Sequence, residues 1–150
     1  MREDPLVGQV APVLEAQDSE GNPVSFRGCW TVLFFFPRAF SPGCTLQTWR
    51  YASLMGEFGK LGARVFGVSQ DGAGLLCRFS AGLGPRMIPD PQGTLARAFG
   101  VGRFLGLLRR DTVVLDLEGR VAAVLRGVNP LTDPERVLAF LRQKQGERAG

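Results

Sequence analysis

The hydrophobic pattern changes period along the chain. Residues 30–36, WTVLFFF, form an unbroken apolar, aromatic and β-branched run, the pattern of a strand buried on both faces. Residues 42–60 follow with Leu46, Trp49, Tyr51, Leu54, Met55 and Phe58, which fit a helical stripe. ARVFGVS (63–69) is a second buried strand, so 30–69 reads as a right-handed βαβ unit. Upstream, PVLEAQD (12–18) and PVSFRG (23–28) flank EGN as a hairpin. Downstream, 72–82 reads as a helix weakened by glycines, RMIPDP (86–91) as a short strand or turn, and GTLARAFGV (93–101) as a short helix. In DTVVLDLEGRVAAVLRGV (111–128) two apolar runs surround Glu118-Gly119, a hairpin signal whose first strand covers 112–117. DPERVLAFLRQKQ (133–145) opens with Asp133 as N-cap and Pro134 at the first helical position, and aligns Val137, Leu138 and Leu141 on one face.

The order ββ-βαβ-α-β-α-ββα predicts an α/β, thioredoxin-like architecture. A central mixed β-sheet is flanked by helices on both faces, with an N-terminal β-hairpin extension. Residues 1–150 are expected to form a single domain, since no repeat or linker divides them. A chain of 150 residues buries roughly 70% of its unfolded surface. Its 45% hydrophobic and 21% charged residues exclude disorder.

Charge and cysteine usage narrow the function. The net charge is +4, but no basic run exceeds Arg109-Arg110, so the clustered patch of a nucleic-acid binder is missing. The N-terminal MREDPLVGQVAP lacks a signal-peptide core, and no segment approaches the ~20 apolar residues of a membrane span. A cytoplasmic protein with reduced thiols is expected. The cysteines are Cys29, Cys44 and Cys77, an odd number that argues against a disulfide framework. The sequence contains no histidine, which excludes Cys-His and Ser-His hydrolases and argues against zinc.

The chemistry concentrates in FFFPRAFSPGCTLQTW (34–49). Cys44 lies a short loop beyond the first central strand, at the predicted start of a helix. Ligands of open α/β sheets collect at that edge. Unpaired amides and the positive helix end there favour thiolate over thiol. Ionisation alone has limited reach, because an ordinary thiol is already a few per cent thiolate at neutral pH. A large rate enhancement must come from stabilising charge on the other reactant.

The segment Pro37-Arg38-Ala39-Phe40-Ser41-Pro42-Gly43-Cys44 matches the Pro-x-x-x-Thr/Ser-x-x-Cys signature of peroxiredoxins. With GVSQD (67–71) and RDTVVLD (110–116), it resembles the Q-type subgroup, the bacterioferritin comigratory proteins, over about residues 5–143. The resemblance implies a thioredoxin fold and thiol-dependent reduction of hydrogen peroxide and organic hydroperoxides, with no metal or other cofactor. It makes Cys44 the peroxidatic cysteine, Pro37 its shield from solvent, Ser41 a hydrogen-bonding partner of thiolate and peroxide, and Arg110 the family arginine. Gln47 stands where the family often carries Glu or Gln, and equally suits an ordinary helix position. The expected partners are a peroxide and a thioredoxin-like reductant, with no nucleic acid or membrane, and the expected state is a monomer or weak dimer.

The chain departs from the subgroup at Trp49, where many members carry a resolving cysteine. Others carry it on the next helix. Cys77 falls on that predicted helix, one turn before the usual place, which aligns with Ser80. A resolving role and core packing beside Leu75 and Leu76 are its two readings. Cys29 reads as packing, because seven strand residues separate it from Cys44 by ~23 Å, whereas a disulfide needs Cα atoms within ~7 Å. If the two helices begin far apart, a 44–77 disulfide requires the first turn at Cys44 and the Cys77 helix to loosen, which Gly72, Gly74 and Gly82 would ease. The alternatives are a one-cysteine peroxidase served by an external thiol, and a binding or chaperone-like module. The latter rests on the apolar segment VGRFLGLL (101–108), which equally suits the site rim or a core cover. A disulfide oxidoreductase is unsupported without C-x-x-C.

Overall fold

The computed structural model describes residues 4–81 and 85–149, with side chains through Gly146. A hairpin of β1 (Glu15–Gln17) and β2 (Pro23–Ser25) leads into β3 (Trp30–Phe35). Then come α1 (Pro42–Ser53), α2 (Met55–Lys60), β4 (Ala63–Ser69), α3 (Ala73–Ser80), β5 (Arg86–Pro89) and α4 (Thr94–Ala98). A small hairpin of β6 (Arg103–Phe104) and β7 (Leu107–Leu108) precedes β8 (Thr112–Leu115), β9 (Val121–Leu125) and α5 (Asp133–Ala149).

The central sheet has the order β5-β4-β3-β8-β9. β3, β4 and β5 run parallel, while β8 and β9 are antiparallel to their neighbours, so the sheet is mixed as expected. β3 is fully buried because alternate residues feed two cores. Trp30, Val32, Phe34 and Phe36 pack with Tyr51 of α1, Phe58 of α2, Leu76 and Phe79 of α3, and Val137, Leu138 and Leu141 of α5. Leu33 and Phe35 point the other way, toward Phe66, Ile88, Leu95 and Phe99 and toward Val24 and Phe26 of the N-terminal segment. Gly67 of β4 pairs with Phe34. A Cβ at Gly67 would lie 2.5 Å from Met87 Sδ and 2.9 Å from the Phe34 and Phe36 rings, so only glycine fits beneath these rings.

Buried carboxylates organise the turns. Asp18 accepts bonds from the amides of Glu20 and Asn22, closing the first hairpin, and from Arg86 Nε and Nη2 on β5. Asp90 accepts from the amides of Leu95 and Ala96 and caps α4.

Several sequence expectations need correction. The helix expected over 42–60 breaks at Leu54, whose amide bonds back to Tyr51. The Ser53 hydroxyl donates to the Arg50 carbonyl and competes with the helical ladder at the same point. The expected stripe holds at Tyr51 and Phe58, which are buried, and at Leu54 and Met55, which pack against the core, but fails at its first two positions. Leu46 and Trp49 are 42% and 53% exposed, and α1 buries Cys44, Gln47, Thr48 and Tyr51. The segment 101–108 contains a tight hairpin that was not expected, with Leu105 (φ 53°) and Gly106 (φ 79°) at its tip. Phe104, Leu105 and Leu107 of this hairpin are exposed, and Leu108 is buried. The expected end of the Cys77 helix, Gly82, lies outside the described residues. Asp133 is not an N-cap; it is a residue of α5 whose carboxylate turns inward.

Candidate active site

β3 ends where Phe36 still bonds through its amide to Val68. Pro37 follows, half-buried, and the loop then turns through Phe40, a bulky residue in the left-handed region at φ 64°. Such a conformation costs about 1–2 kcal/mol and persists only where its surroundings enforce it. Two contacts enforce it here. The Ala39 amide donates to Asp71 Oδ2 at 2.8 Å, and the Phe40 ring stands edge-on to Phe79 of α3. Asp71 is itself fixed, because its Oδ2 also accepts from the Ser69 hydroxyl at the end of β4.

The loop delivers Cys44 into the first turn of α1, fully buried beside Phe36 and Ala39 in the core that includes Leu76 and Phe79. The first intrahelical bond runs from the Thr45 amide to the Ser41 carbonyl. Pro42 has no N–H, and no side chain caps the helix, so the amides of Gly43 and Cys44 lie before the ladder without an intrahelical acceptor. The first turn carries no acidic residue. Ser41 occupies the N-cap position, but its hydroxyl donates to the Arg38 carbonyl at 2.9 Å. Only its acceptor lone pairs face no donor in that bond.

Arg110 completes the cluster. Its Nη1 donates to Gln47 Oε1 at 2.9 Å. Its Nη2 lies directly over Gly43, 2.7 Å from where a Cβ would stand. The side chain thus spans one turn of α1 and brings its charge to the residue preceding Cys44. Arg109 next to it is exposed and its amide bonds to Gly102, so the two neighbouring arginines are clearly separated.

Beneath Gln47 lies a polar group that sequence reasoning missed. Asp133 Oδ2 accepts from Gln47 Nε2 at 3.1 Å, from the Tyr51 hydroxyl at 2.5 Å and from the Thr112 hydroxyl at 3.0 Å. All four residues are at most 1% exposed. Burial pushes the Asp133 carboxyl above the usual carboxylate range, although Tyr51, Gln47 and Thr112 and the charge of Arg136 pull it down. Burial, reinforced by the Asp133 charge, holds the Tyr51 phenol well above its usual range, so it remains a donor. The signal in the sequence was the Asp-Pro pair, which reads equally well as a helix cap.

The other cysteines lie apart from this cluster. All three are free thiols. Cys77 is half-buried on α3, between the buried Leu76 and the turn to Phe79, and its carbonyl accepts from the Ser80 hydroxyl. Cys29 precedes β3 at the opposite end of the strand from Cys44, in a depression with Leu61, Gly62 and Leu117. No group of residues suited to hold a metal ion occurs among the described residues. No helix among them is long and apolar enough to cross a membrane.

A thiol in the first turn of an uncapped helix, with an arginine over the residue before it, on a mixed sheet of this order, defines a class of protein. The chain belongs to the AhpC/TSA family, which its residues 7–124 match, and so to the peroxiredoxins, thiol-dependent peroxidases on a thioredoxin fold. Among its relatives, Peroxiredoxin Bcp of Xanthomonas campestris is 33% identical over 136 residues, covering 83% of this chain and 85% of the relative. Peroxiredoxin Bcp of Escherichia coli K12 is 27% identical over 148 residues, covering 91% and 95%. The Xanthomonas campestris bacterioferritin comigratory protein, whose structures address alkyl peroxide reduction, superposes with a TM-score of 0.81 at 30% identity, covering 87% of this chain and 91% of that one. Peroxidoxin BcpB of Mycobacterium tuberculosis gives 0.82 at 30% identity, covering 91% and 96%.

Proposed function

We propose that Cys44 is the peroxidatic cysteine and Cys77 its resolving partner. The observation that carries the first assignment is the convergence of the Gly43 and Cys44 amides and Arg110 Nη2 on one turn of α1. The Cys44 thiolate attacks one oxygen of the peroxide in line. The S–O bond forms as the O–O bond breaks, and the electron pair leaves on the distal oxygen as hydroxide or alkoxide, which takes a proton from water. The amides and the guanidinium hold that developing charge, as an oxyanion hole does in acyl transfer. Cys44 becomes a sulfenic acid.

The Cys77 thiol then attacks the Cys44 sulfur, releasing water and leaving a 44–77 disulfide. Because Cys44 is fully buried, this step follows loosening of the first turn of α1 and of α3. A thioredoxin-like dithiol reopens the disulfide, taking the oxidation onto its own cysteines. The substrates are hydrogen peroxide and organic hydroperoxides. The chain works as one folding unit, monomeric or weakly dimeric, in a reducing compartment that keeps its three thiols free.

The test is peroxide consumption by wild type, Cys44→Ser and Cys77→Ser, with peptide mapping after one equivalent of peroxide. Cys44→Ser is expected to be inactive, and wild type to yield a 44–77 linked peptide. An unchanged rate in Cys44→Ser overturns the first assignment. A lasting Cys44 sulfenic acid without the linkage overturns the second and leaves a one-cysteine enzyme served by an external thiol.

A further inference from the structure

We infer that Asp133 is a positioning residue for the peroxidatic centre: through the Gln47 amide it fixes the Arg110 guanidinium over Gly43, the residue before Cys44. The inference deepens the reading of Cys44 and Arg110 given above and rests on it.

The argument begins with the two ends of an amide. Gln47 offers a carbonyl acceptor at one end and an NH2 donor at the other, nearly equal in shape. Arg110 is donor-only and requires the carbonyl. Nothing within Gln47 ensures that choice. Asp133 does, because Oδ2 accepts from Nε2 and so aims Oε1 at Arg110. A donor in place of Asp133 Oδ2 would turn the amide round and set NH2 against the guanidinium.

Oδ2 is kept as an acceptor from two further sides. Tyr51 and Thr112 both donate to it, from α1 and from β8. Asp133 Oδ1 is buried and finds no hydrogen-bond partner among the described residues. A proton taken up by the carboxyl therefore sits on Oδ1 and leaves the three bonds at Oδ2 intact. The relay depends on the acceptor at Oδ2, and the negative charge is secondary.

The two nitrogens of Arg110 divide the work. Nη1 is held by Gln47, and Nη2 is then placed over Gly43 by the rigid fork of the guanidinium. With Nη1 released, the long side chain is free to swing out of the loop between β7 and β8. A displacement of about 1 Å in such a group costs on the order of 100-fold in rate.

The experiment measures kcat/KM for hydrogen peroxide in Asp133→Ala, Asp133→Asn, Arg110→Ala and the Asp133→Ala/Arg110→Ala double variant, with folding checked by circular dichroism. Asp133→Ala is expected to lose about 10–100-fold. Asp133→Asn, which can keep its oxygen at the Oδ2 position, is expected to recover the rate to within about threefold of wild type. In the Arg110→Ala background, Asp133→Ala is expected to add less than about twofold, because the two act in series. If Asp133→Ala does not fold, Asp133→Leu fills the space without an acceptor and takes its place in the cycle.

A wild-type rate in Asp133→Ala, Asp133→Asn as slow as Asp133→Ala, or losses that multiply in the double variant each overturn the relay. These failures are separate from that of the underlying reading. If Cys44→Ser keeps its activity or Arg110→Ala is as fast as wild type, the assignment of the centre falls and the relay with it. If Arg110→Ala is slow and Asp133→Ala is not, the relay alone is rejected.

Discussion

The Phe40 ring meets the Phe79 ring edge-on, with centroids 5.1 Å apart, and so joins the loop before Cys44 to the helix that carries Cys77. Phe79 continues the contact to Phe36 at 5.7 Å, at the end of the strand that supplies the loop. An edge-to-face pair of this kind contributes about 0.5–1.5 kcal/mol beyond its area. Phe40→Ala is therefore expected to raise the population of the locally open state by about 2–10-fold. Hydrogen exchange at the Thr45 amide, the first bond of α1, reads that change directly.

Phe40 also bears backbone strain, which a second substitution isolates. Phe40→Ala and Phe40→Gly both remove the ring, but only glycine relieves the left-handed conformation. Phe40→Gly is expected to be more stable than Phe40→Ala by about 1 kcal/mol in urea denaturation. Equal stabilities would show that the loop relaxes once the ring is gone.

Gly43 separates the placement of Arg110 from its presence. In Gly43→Ala the new methyl meets Nη2 at 2.7 Å, so the guanidinium must shift while its charge remains. The expected result is a loss of about 10–100-fold in kcat/KM for peroxide. Thermal unfolding should stay within a few degrees of wild type, since alanine suits a helix better than glycine.

Gly67→Ala tests the core beneath the site. Its methyl would press on Met87, Phe34 and Phe36, side chains that are fully buried. Overpacking of this kind is expected to cost about 1–3 kcal/mol. Urea denaturation measures it.

Two buried aspartates give opposite pH dependences. Asp133 is raised by burial, so the folded protein holds that proton more tightly than the unfolded chain. Its contribution to stability grows as pH falls from the raised value toward about 4, the unfolded range. For Asp18, burial is outweighed by Arg86 and the Asn22 and Glu20 amides, and the carboxyl is lowered. Its contribution is present above about 4 and is lost as pH falls through the lowered value. Urea melts from pH 3 to 8 should show Asp18→Asn costing about 1–3 kcal/mol at neutral pH, with the deficit fading in acid. Asp133→Asn should instead lose ground to wild type on acidification.

Much of this architecture was legible because its determinants are local. The apolar run 30–36 announced β3, and the proline, serine and cysteine after it announced the turn into α1. The choice of Arg110 over Arg109 rests on motif position, and Arg110 is the one of the two whose guanidinium lies over Gly43. The polar part of the inner face of α1, Gln47 and Thr48, was illegible for a physical reason. Gln47 and Tyr51 bond to Asp133, 86 and 82 residues away in the chain, and no local periodicity encodes an acceptor supplied from so far away. The Asp-Pro pair that starts α5 satisfied a capping rule and concealed the carboxylate's other partners. Ser53 broke the helix through a side-chain bond that a hydropathy pattern does not register.

The inward face of α1 has one more consequence. Most helices that leave their place expose leucine and valine to water and are held by that cost. Here the inner face of α1 is mixed: Gln47 and the Tyr51 hydroxyl bond to Asp133 and Arg110 bonds to Gln47, while the Tyr51 ring stacks on Phe34 and Cys44 lies in the apolar core. On opening, water solvates Asp133, Gln47 and the Tyr51 hydroxyl, which offsets part of the cost of uncovering Phe34. The apolar side chains Leu46 and Trp49 already face outward, so they lose no cover when the inner face opens. The polar share of this face lowers the cost of opening it, and on the proposed role of Cys44 that is the motion its oxidised sulfur needs to reach the surface.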